Sequence, residues 1–303
     1  MELTIAIITK NRITDLGKCL ASIFKQEQCE FSVLIIDNDT EKSALPVYKR
    51  FKHRNKFPIR YICEPSRGYS NARNCALGNC KLKYLAFVDD DCVLDKNWGK
   101  SGLQAIKKYD SIYVVGRTIQ VNRNSLFAEV EQYIYYNWMP DYYDKTTYEI
   151  DALRIDTKNI IFNASRLKAN NLQFDTRFNT YGGEDTDLGL QIKQCNLKGY
   201  YVPTMFLYHK GKLDVKAFIK KSFAYGYNCY NLYHKWSHLG ECTNWDMIDG
   251  YRFYLKPRKL LNDYYCIKQN NRLKKLCYFF LIKLFNSFFI KGHYVKKRQL
   301  QNQ

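Results

Sequence analysis

Short, almost unbroken apolar runs alternate along this chain with segments whose apolar residues recur at helical spacing. The runs LTIAIIT (3–9), SVLIID (32–37), IRYIC (59–63), YLAFVD (84–89) and SIYVVG (111–116) lack the polar alternation of a half-exposed strand. They read as strands covered on both faces. Residues 16–24, 70–77 and 98–109 read as helices between them. That β-α-β-α order predicts an α/β fold, a mostly parallel sheet flanked by helices. Further on, NIIFN (159–163) reads as a strand and residues 185–196 as a helix stopped near Gly199. Residues 200–209 read as a strand that Pro203 assigns to a sheet edge, where a missing N–H costs nothing.

Ligands of such sheets bind beyond the carboxyl ends of the strands. Polar residues collect there: Thr9 and Asn11 after the first run, Asp37, Asn38 and Asp39 after the second, Asp89, Asp90 and Asp91 after the fourth, His209 after the last. Three adjacent carboxylates repel one another, so a cation is expected among them. With no cysteine partner evident, the triplet reads as an all-oxygen site for Mg2+ or Mn2+ carrying a diphosphate, or else as a solvated acidic turn.

Composition narrows the setting. With 303 residues, 46% of them hydrophobic, the chain can bury a large α/β core and carry an appendage. Eleven cysteines without a C-x-x-C pair argue against a disulfide framework and for a reduced compartment, and the first apolar stretch is too short for a signal sequence, so a cytoplasmic location is expected. The formal charge of +19 is concentrated: residues 252–303 hold thirteen Lys or Arg against one acid, Asp263, which places +12 there. This shift in composition sets an expected boundary near residue 212, dividing a catalytic domain (1–212) from a basic helical extension (213–303). A tail so basic seeks a polyanion, and with no nucleic-acid-binding motif present the expected partner is an anionic membrane surface at the inner face of the cell membrane. The apolar segment 276–290 is only 15 residues long and carries Lys283 and Asn286, too short to span a bilayer. It would lie in the interface or pack as a helix. The tyrosine-dense stretch 131–149 would line an acceptor site or fill a core.

Four blocks together resemble glycosyltransferase family 2, the inverting, nucleotide-sugar-dependent enzymes of the GT-A fold. They are IAIITKNR (5–12), VLIIDNDT (33–40), RGYSNARNCAL (67–77) with FVDDDCVLDKNW (87–98), and FNTYGGEDTDLGLQIKQ (178–194) followed by FLYH (206–209). The resemblance covers about residues 3–212. It implies a nucleotide-sugar donor (UDP-, GDP- or dTDP-linked), a glycan or lipid-linked acceptor, Mg2+ or Mn2+, and a role in cell-surface polysaccharide synthesis. By the same resemblance Thr9, Asn11 and Arg12 meet the nucleotide, Asp37 or Asn38 reads the base, and Arg73 pairs with phosphate oxygens. Asn38 stands where many relatives have a second acid, and Asp39 where they have glycine. Asp91 is the expected metal ligand, Asp89 lies toward the ribose or sugar or shares the metal, Asp90 is the alternate, and His209 adds a further metal contact. In GGEDTDL, Asp185 is the implied base that deprotonates the acceptor, Glu184 orients the acceptor or shares the task, and Gly182 and Gly183 let backbone approach the sugar. Asp185 would otherwise merely cap the following helix, and Asp187 is a first-turn helix acid. Two rivals remain: a metal-dependent nucleotidyltransferase, and a non-catalytic basic protein that binds membrane or nucleic acid on a transferase scaffold.

Overall fold

The computed structural model describes residues 1–53, 57–121, 125–139, 146–211, 214–237 and 272–302. The chain divides into two compact units, one made of Met1–Val121, Tyr143–Asn179 and Glu184–Lys210, the other of Asn122–Tyr142, Thr180–Gly183 and Gly211–Gln303. The boundary expected near residue 212 falls on residues outside the described set, as do the stretch 140–145 of the tyrosine-rich segment and residues 252–271 of the basic tail.

The first unit is a twisted mixed sheet. Its strands are β1 (Leu3–Thr9), β2 (Phe31–Asp37), β3 (Ile59–Cys63), β4 (Tyr84–Asp89), β5 (Cys92–Leu94), β6 (Tyr113–Gln120), β7 (Tyr148–Ile150), β8 (Asn159–Asn163) and β9 (Gly199–His209). They run in the order β3-β2-β1-β4-β8-β6-β9-β5, with β7 also paired to β9. The half built from β1 to β4 is parallel, as the βαβ order requires. Strands β1, β2 and β4 are buried along nearly their whole length, which is why their sequences are continuous apolar runs, while β3 at the end of the order is only partly buried. Helix α1 (Ile13–Ile23) buries Leu16, Cys19, Leu20 and Ile23, one face at i, i+3, i+4 and i+7. Helices α2 (Leu45–Lys52), α3 (Tyr69–Asn79) and α4 (Trp98–Lys108) complete this half.

The other half of the sheet is mixed. Strand β8 runs antiparallel to both β4 and β6, pairing Val88 with Asn159 and Tyr84 with Asn163. Its first residues therefore lie beside the end of β4. Strand β9 is not an edge strand: it pairs with β6 on one side and with β5 and β7 on the other. Pro203 is tolerated because the β6–β9 register jumps from Gly116↔Val202 to Arg117↔Phe206, and the skipped residues need no ladder bond. Helices α6 (Ala164–Ala169) and α7 (Glu184–Gln194) follow β8 and precede β9.

The second unit contains α5 (Leu126–Trp138), α8 (Val215–Trp236) and α9 (Arg272–Gln301). The apolar segment 276–290 lies inside α9, and Tyr278, Ile282, Phe285 and Phe289 are its core-facing residues. Two glycines let α8 and α9 touch at backbone distance. A Cβ on Gly226 would lie 1.8 Å from the Phe289 carbonyl oxygen, and one on Gly292 2.0 Å from that of Phe223. Ser222 donates to the Phe285 carbonyl, and buried Glu129 of α5 accepts from Lys274 at 3.0 Å and from the Tyr278 hydroxyl. No described helix is long and apolar enough to cross a membrane.

Candidate functional site

In-register parallel pairing sets the strand ends at one edge: Thr9 pairs with Asp37, and Ile8 with Asp89. On the far side of the sheet Gln120 pairs with His209, and His209 with Cys92. The chain therefore brings Thr9, Arg12, Asp90, Asp91 and His209 into one cluster. Thr9 donates from Oγ1 to Asp90 Oδ2 at 2.7 Å. Arg12 Nη1 bridges Asp90 Oδ1 at 3.0 Å and Asp91 Oδ2 at 2.7 Å. His209 Nε2 lies 3.2 Å from Asp91 Oδ1. The cation expected among the carboxylates is thus partly supplied by the protein itself.

The three aspartates differ in charge state because their surroundings differ. Burial pushes Asp90 up to about 7 against the pull of Arg12 and Thr9. Burial would also raise Asp91, but the hydrogen bond and charge of His209, then Arg12, outweigh it and hold Asp91 down at about 2. Asp89 is raised by burial and by the charge of Asp91, with Arg73, His209 and Lys158 opposing. Arg12 stays protonated: burial works against its charge, and Asp90 and Asp91 more than restore it.

The metal-competent donors are Asp91, Cys92 and His209, whose ligand atoms all lie within 4.8 Å of one another. Beside the Asp91 carboxylate this group offers the His209 imidazole and the Cys92 thiol, and it does not include Asp89. Cys92 directly follows the triplet, so its place in the chain was the available signal. Gln120, also unforeseen, accepts from His209 Nδ1 at 2.7 Å when that nitrogen carries the proton, which fixes the ring with Nε2 toward Asp91. Its signal was its place at a strand end on this edge.

A second group forms around α7. Arg73, expected to face phosphate, is buried on α3, with Nη1 2.6 Å from Glu184 Oε1 and the guanidinium over the rings of Tyr69 and Phe174. A desolvated guanidinium needs acceptors and nearby negative charge: Glu184 Oε1 accepts from it, and Asp185 and Asp89 add negative charge. Glu184 is pushed up to about 8, first by burial and then by the charge of Asp185, despite Arg73. Among the described residues its Oε2 has no hydrogen-bond partner. Asp185 is the second residue of α7 and does not cap it; its Oδ2 accepts from the Thr157 hydroxyl at 3.0 Å. Thr157, missed from sequence, reaches this edge because β8 runs antiparallel and starts there. Gly182 and Gly183, with φ of 81° and 95°, form the left-handed turn that leads into Glu184.

Asp37, Asn38 and Asn11 organise loops. Asp37 is fully buried and accepts from Ala44 N at 2.8 Å and from the Tyr61 hydroxyl at 2.9 Å, while its Oδ1 lacks a partner. Asn38 donates to the carbonyls of Glu64 and Ser66 and accepts from Gly68 N, which ties the β3–α3 loop to the end of β2. Asn11 adopts φ 54°, a left-handed conformation asparagine tolerates, and its N–H donates to Ser43 Oγ at 3.0 Å.

Residues 4–170 match the family profile described as Glycosyl transferase family 2. The chain is 23% identical over 225 residues to a hyaluronan synthase of Pasteurella multocida, across 63% of this chain and 22% of that protein. It is 29% identical over 118 residues to the succinoglycan biosynthesis protein ExoM of Rhizobium meliloti, across 38% of each. These matches span between about a fifth and two fifths of the relatives' own lengths. In fold, the chain resembles S. aureus TarS 1–349 in complex with UDP-GlcNAc, with a TM-score of 0.59 at 17% identity over 100% of this chain and 93% of that one. It also resembles GalNAc-T7 with UDP, GalNAc and Mn2+, with a TM-score of 0.56 at 14% identity over 77% of this chain and 50% of the other.

Proposed function

The chain belongs to glycosyl transferase family 2, and from that premise we propose that it moves a sugar from a nucleoside diphosphate to a hydroxyl of a glycan or lipid-linked acceptor, by one in-line displacement with inversion. The observation that carries this reading is the pair of carboxylates at the start of α7, Glu184 buried against Arg73 and Asp185 held by the Thr157 hydroxyl. Glu184, raised to about 8, is mostly protonated at neutral pH and makes a poor proton acceptor. Asp185, its Oδ2 fixed by Thr157, takes the proton from the attacking hydroxyl. Arg73 and Glu184 form a buried support that orients the start of α7.

The opposite cluster serves the donor. A divalent ion held by Asp91 and His209, with Cys92 in reach, would neutralise the charge that develops on the leaving diphosphate. Nitrogen and sulfur donors favour Mn2+ over Mg2+, which prefers an octahedral oxygen shell. Arg12, half exposed, is placed to turn from the aspartates to the diphosphate. UDP-sugars are the first donors to test, because the structurally similar TarS and GalNAc-T7 are seen with UDP-GlcNAc and UDP. The relatives named for hyaluronan and succinoglycan synthesis favour polysaccharide assembly.

The test is a panel of nucleotide sugars with Mn2+, reading sugar transfer and donor binding separately. Asp185→Asn keeps the shape and removes the basicity, so turnover should fall by about 10²-fold or more while donor binding stays. A fully active Asp185→Asn beside a dead Glu184→Gln would move the base to Glu184. Release of pyrophosphate from a nucleoside triphosphate would make the protein a nucleotidyltransferase.

A further inference from the structure

Helix α9 has two contrasting faces. Tyr278, Ile282, Phe285 and Phe289 are buried within the helical unit. On the other side Leu273, Leu276, Phe280, Lys283, Lys291, Tyr294 and Arg298 are all exposed, at intervals of three, four or eight residues that keep them on one face. This stripe extends about 37 Å at helical rise. Its first part is apolar: Leu273 is 70% exposed, Leu276 51% and Phe280 60%. Its later part is basic, with Tyr294 among the cations. From residue 272 to 301 there are eight Lys or Arg and no Asp or Glu.

A helix face meant for water alone intersperses both signs of charge and leaves few large apolar residues exposed. One sign of charge beside three large apolar side chains is the composition of a helix that lies in a bilayer interface. Charge complementarity selects the occupant. A second copy would set Lys283, Lys291 and Arg298 against the same cations if parallel and against Leu273, Leu276 and Phe280 if antiparallel, and in neither case against negative charge. A nucleic acid would pair with the cations and leave Leu273, Leu276 and Phe280 against water. We propose that this face of α9 rests on an anionic lipid bilayer, with Leu273, Leu276 and Phe280 entering the acyl boundary, Lys283, Lys291 and Arg298 over lipid phosphates, and Tyr294 at headgroup depth. The proposal goes beyond the transferase reading and stands on the helical unit alone, so vesicle binding tests it whether or not any sugar is transferred.

The full chain is sedimented with phosphatidylcholine vesicles that either contain or lack phosphatidylglycerol. Wild type should partition onto the anionic vesicles and be released by high salt. The triple charge reversal Lys283→Glu, Lys291→Glu, Arg298→Glu should weaken partitioning by about 100-fold or more. Leu276→Ser with Phe280→Ser should weaken binding while leaving the salt dependence intact. All these residues are exposed, so both variants should melt with wild type. Phe280→Trp should give a blue-shifted emission on anionic vesicles as the ring leaves water. The proposal is overturned if wild type ignores anionic vesicles, if charge reversal leaves binding unchanged, or if the Phe280→Trp emission stays where it is in buffer. It is overturned equally if charge reversal abolishes self-association or single-stranded DNA binding and has no effect on vesicles.

Discussion

Glu184→Gln should make the protein more stable as the pH rises. In the native chain the Glu184 carboxyl is enclosed, close to Asp185, and held near 8 against an ordinary value of 4.5. Below about 4.5 it is protonated both folded and unfolded and adds no pH dependence. Between 4.5 and about 8 the unfolded chain gives up the proton while the folded chain keeps it, so native stability falls as pH rises through that window, and above 8 the loss is complete. At 1.36 kcal/mol per unit of pKa difference this amounts to at most about 5 kcal/mol, and local relaxation will reduce it. Glutamine has the shape of the protonated acid and cannot ionise. Urea denaturation at pH 5, 6.5 and 8 should therefore show the variant gaining on wild type at each step, by about 2 kcal/mol or more at pH 8. The reasoning fails if the difference is flat, or if glutamine loses ground toward high pH. The second result would mean that the ion pair with Arg73, at 2.6 Å, outweighs burial and keeps Glu184 charged in the fold.

Arg12→Gln removes the cation that bridges Asp90 and Asp91, so Mn2+ binding without nucleotide, followed by electron paramagnetic resonance, should tighten by about fivefold, the equivalent of one half-exposed ion pair. Weaker Mn2+ binding would show that Arg12 does not compete for those oxygens. Gly226→Ala would drive a methyl into the Phe289 carbonyl, so thermal unfolding should show a loss of about 2 kcal/mol or more, and unchanged melting would contradict the close approach of α8 to α9.

The parallel half of the sheet was legible because β1, β2 and β4 are buried on both faces and say so in continuous apolar sequence. Direction was not, because NIIFN reads the same for a parallel or an antiparallel strand, and so Thr157 went unnoticed. The three-residue strands β5 and β7 are too short to show any period. Pro203 read as an edge marker because a register jump between β6 and β9 leaves no trace in sequence. The aspartate triplet, Glu184 and Asp185 were visible as clusters of one chemical type. Arg73 was visible only as an arginine on a helix: its burial depends on Glu184, 111 positions later in the chain. Cys92 was overlooked because one thiol among eleven carries no spacing signal. The apolar 276–290 segment offered two readings, core or interface, and the period of α9 separates residues for each.

The reversal of β8 has a consequence for how such a protein can diversify. Because β8 ends at Asn163 opposite Tyr84, the entry end of β4, the chain is carried to the rim of the sheet farthest from the aspartates before α6 begins. Residue 170, where the family match stops, lies just after α6. Thr9, Arg12, Asp90 and Asp91 all precede that point, while Glu184, Asp185 and His209 follow it. A crossover there leaves Thr9, Arg12, Asp90 and Asp91 together, but the incoming segment must supply His209 and the β9 pairings again, and with them partners for Arg73 and Thr157 in place of Glu184 and Asp185. A chimera joined at residue 170 therefore stays folded around α7 only if the segments it joins keep the Arg73–Glu184 and Thr157–Asp185 contacts as matched pairs.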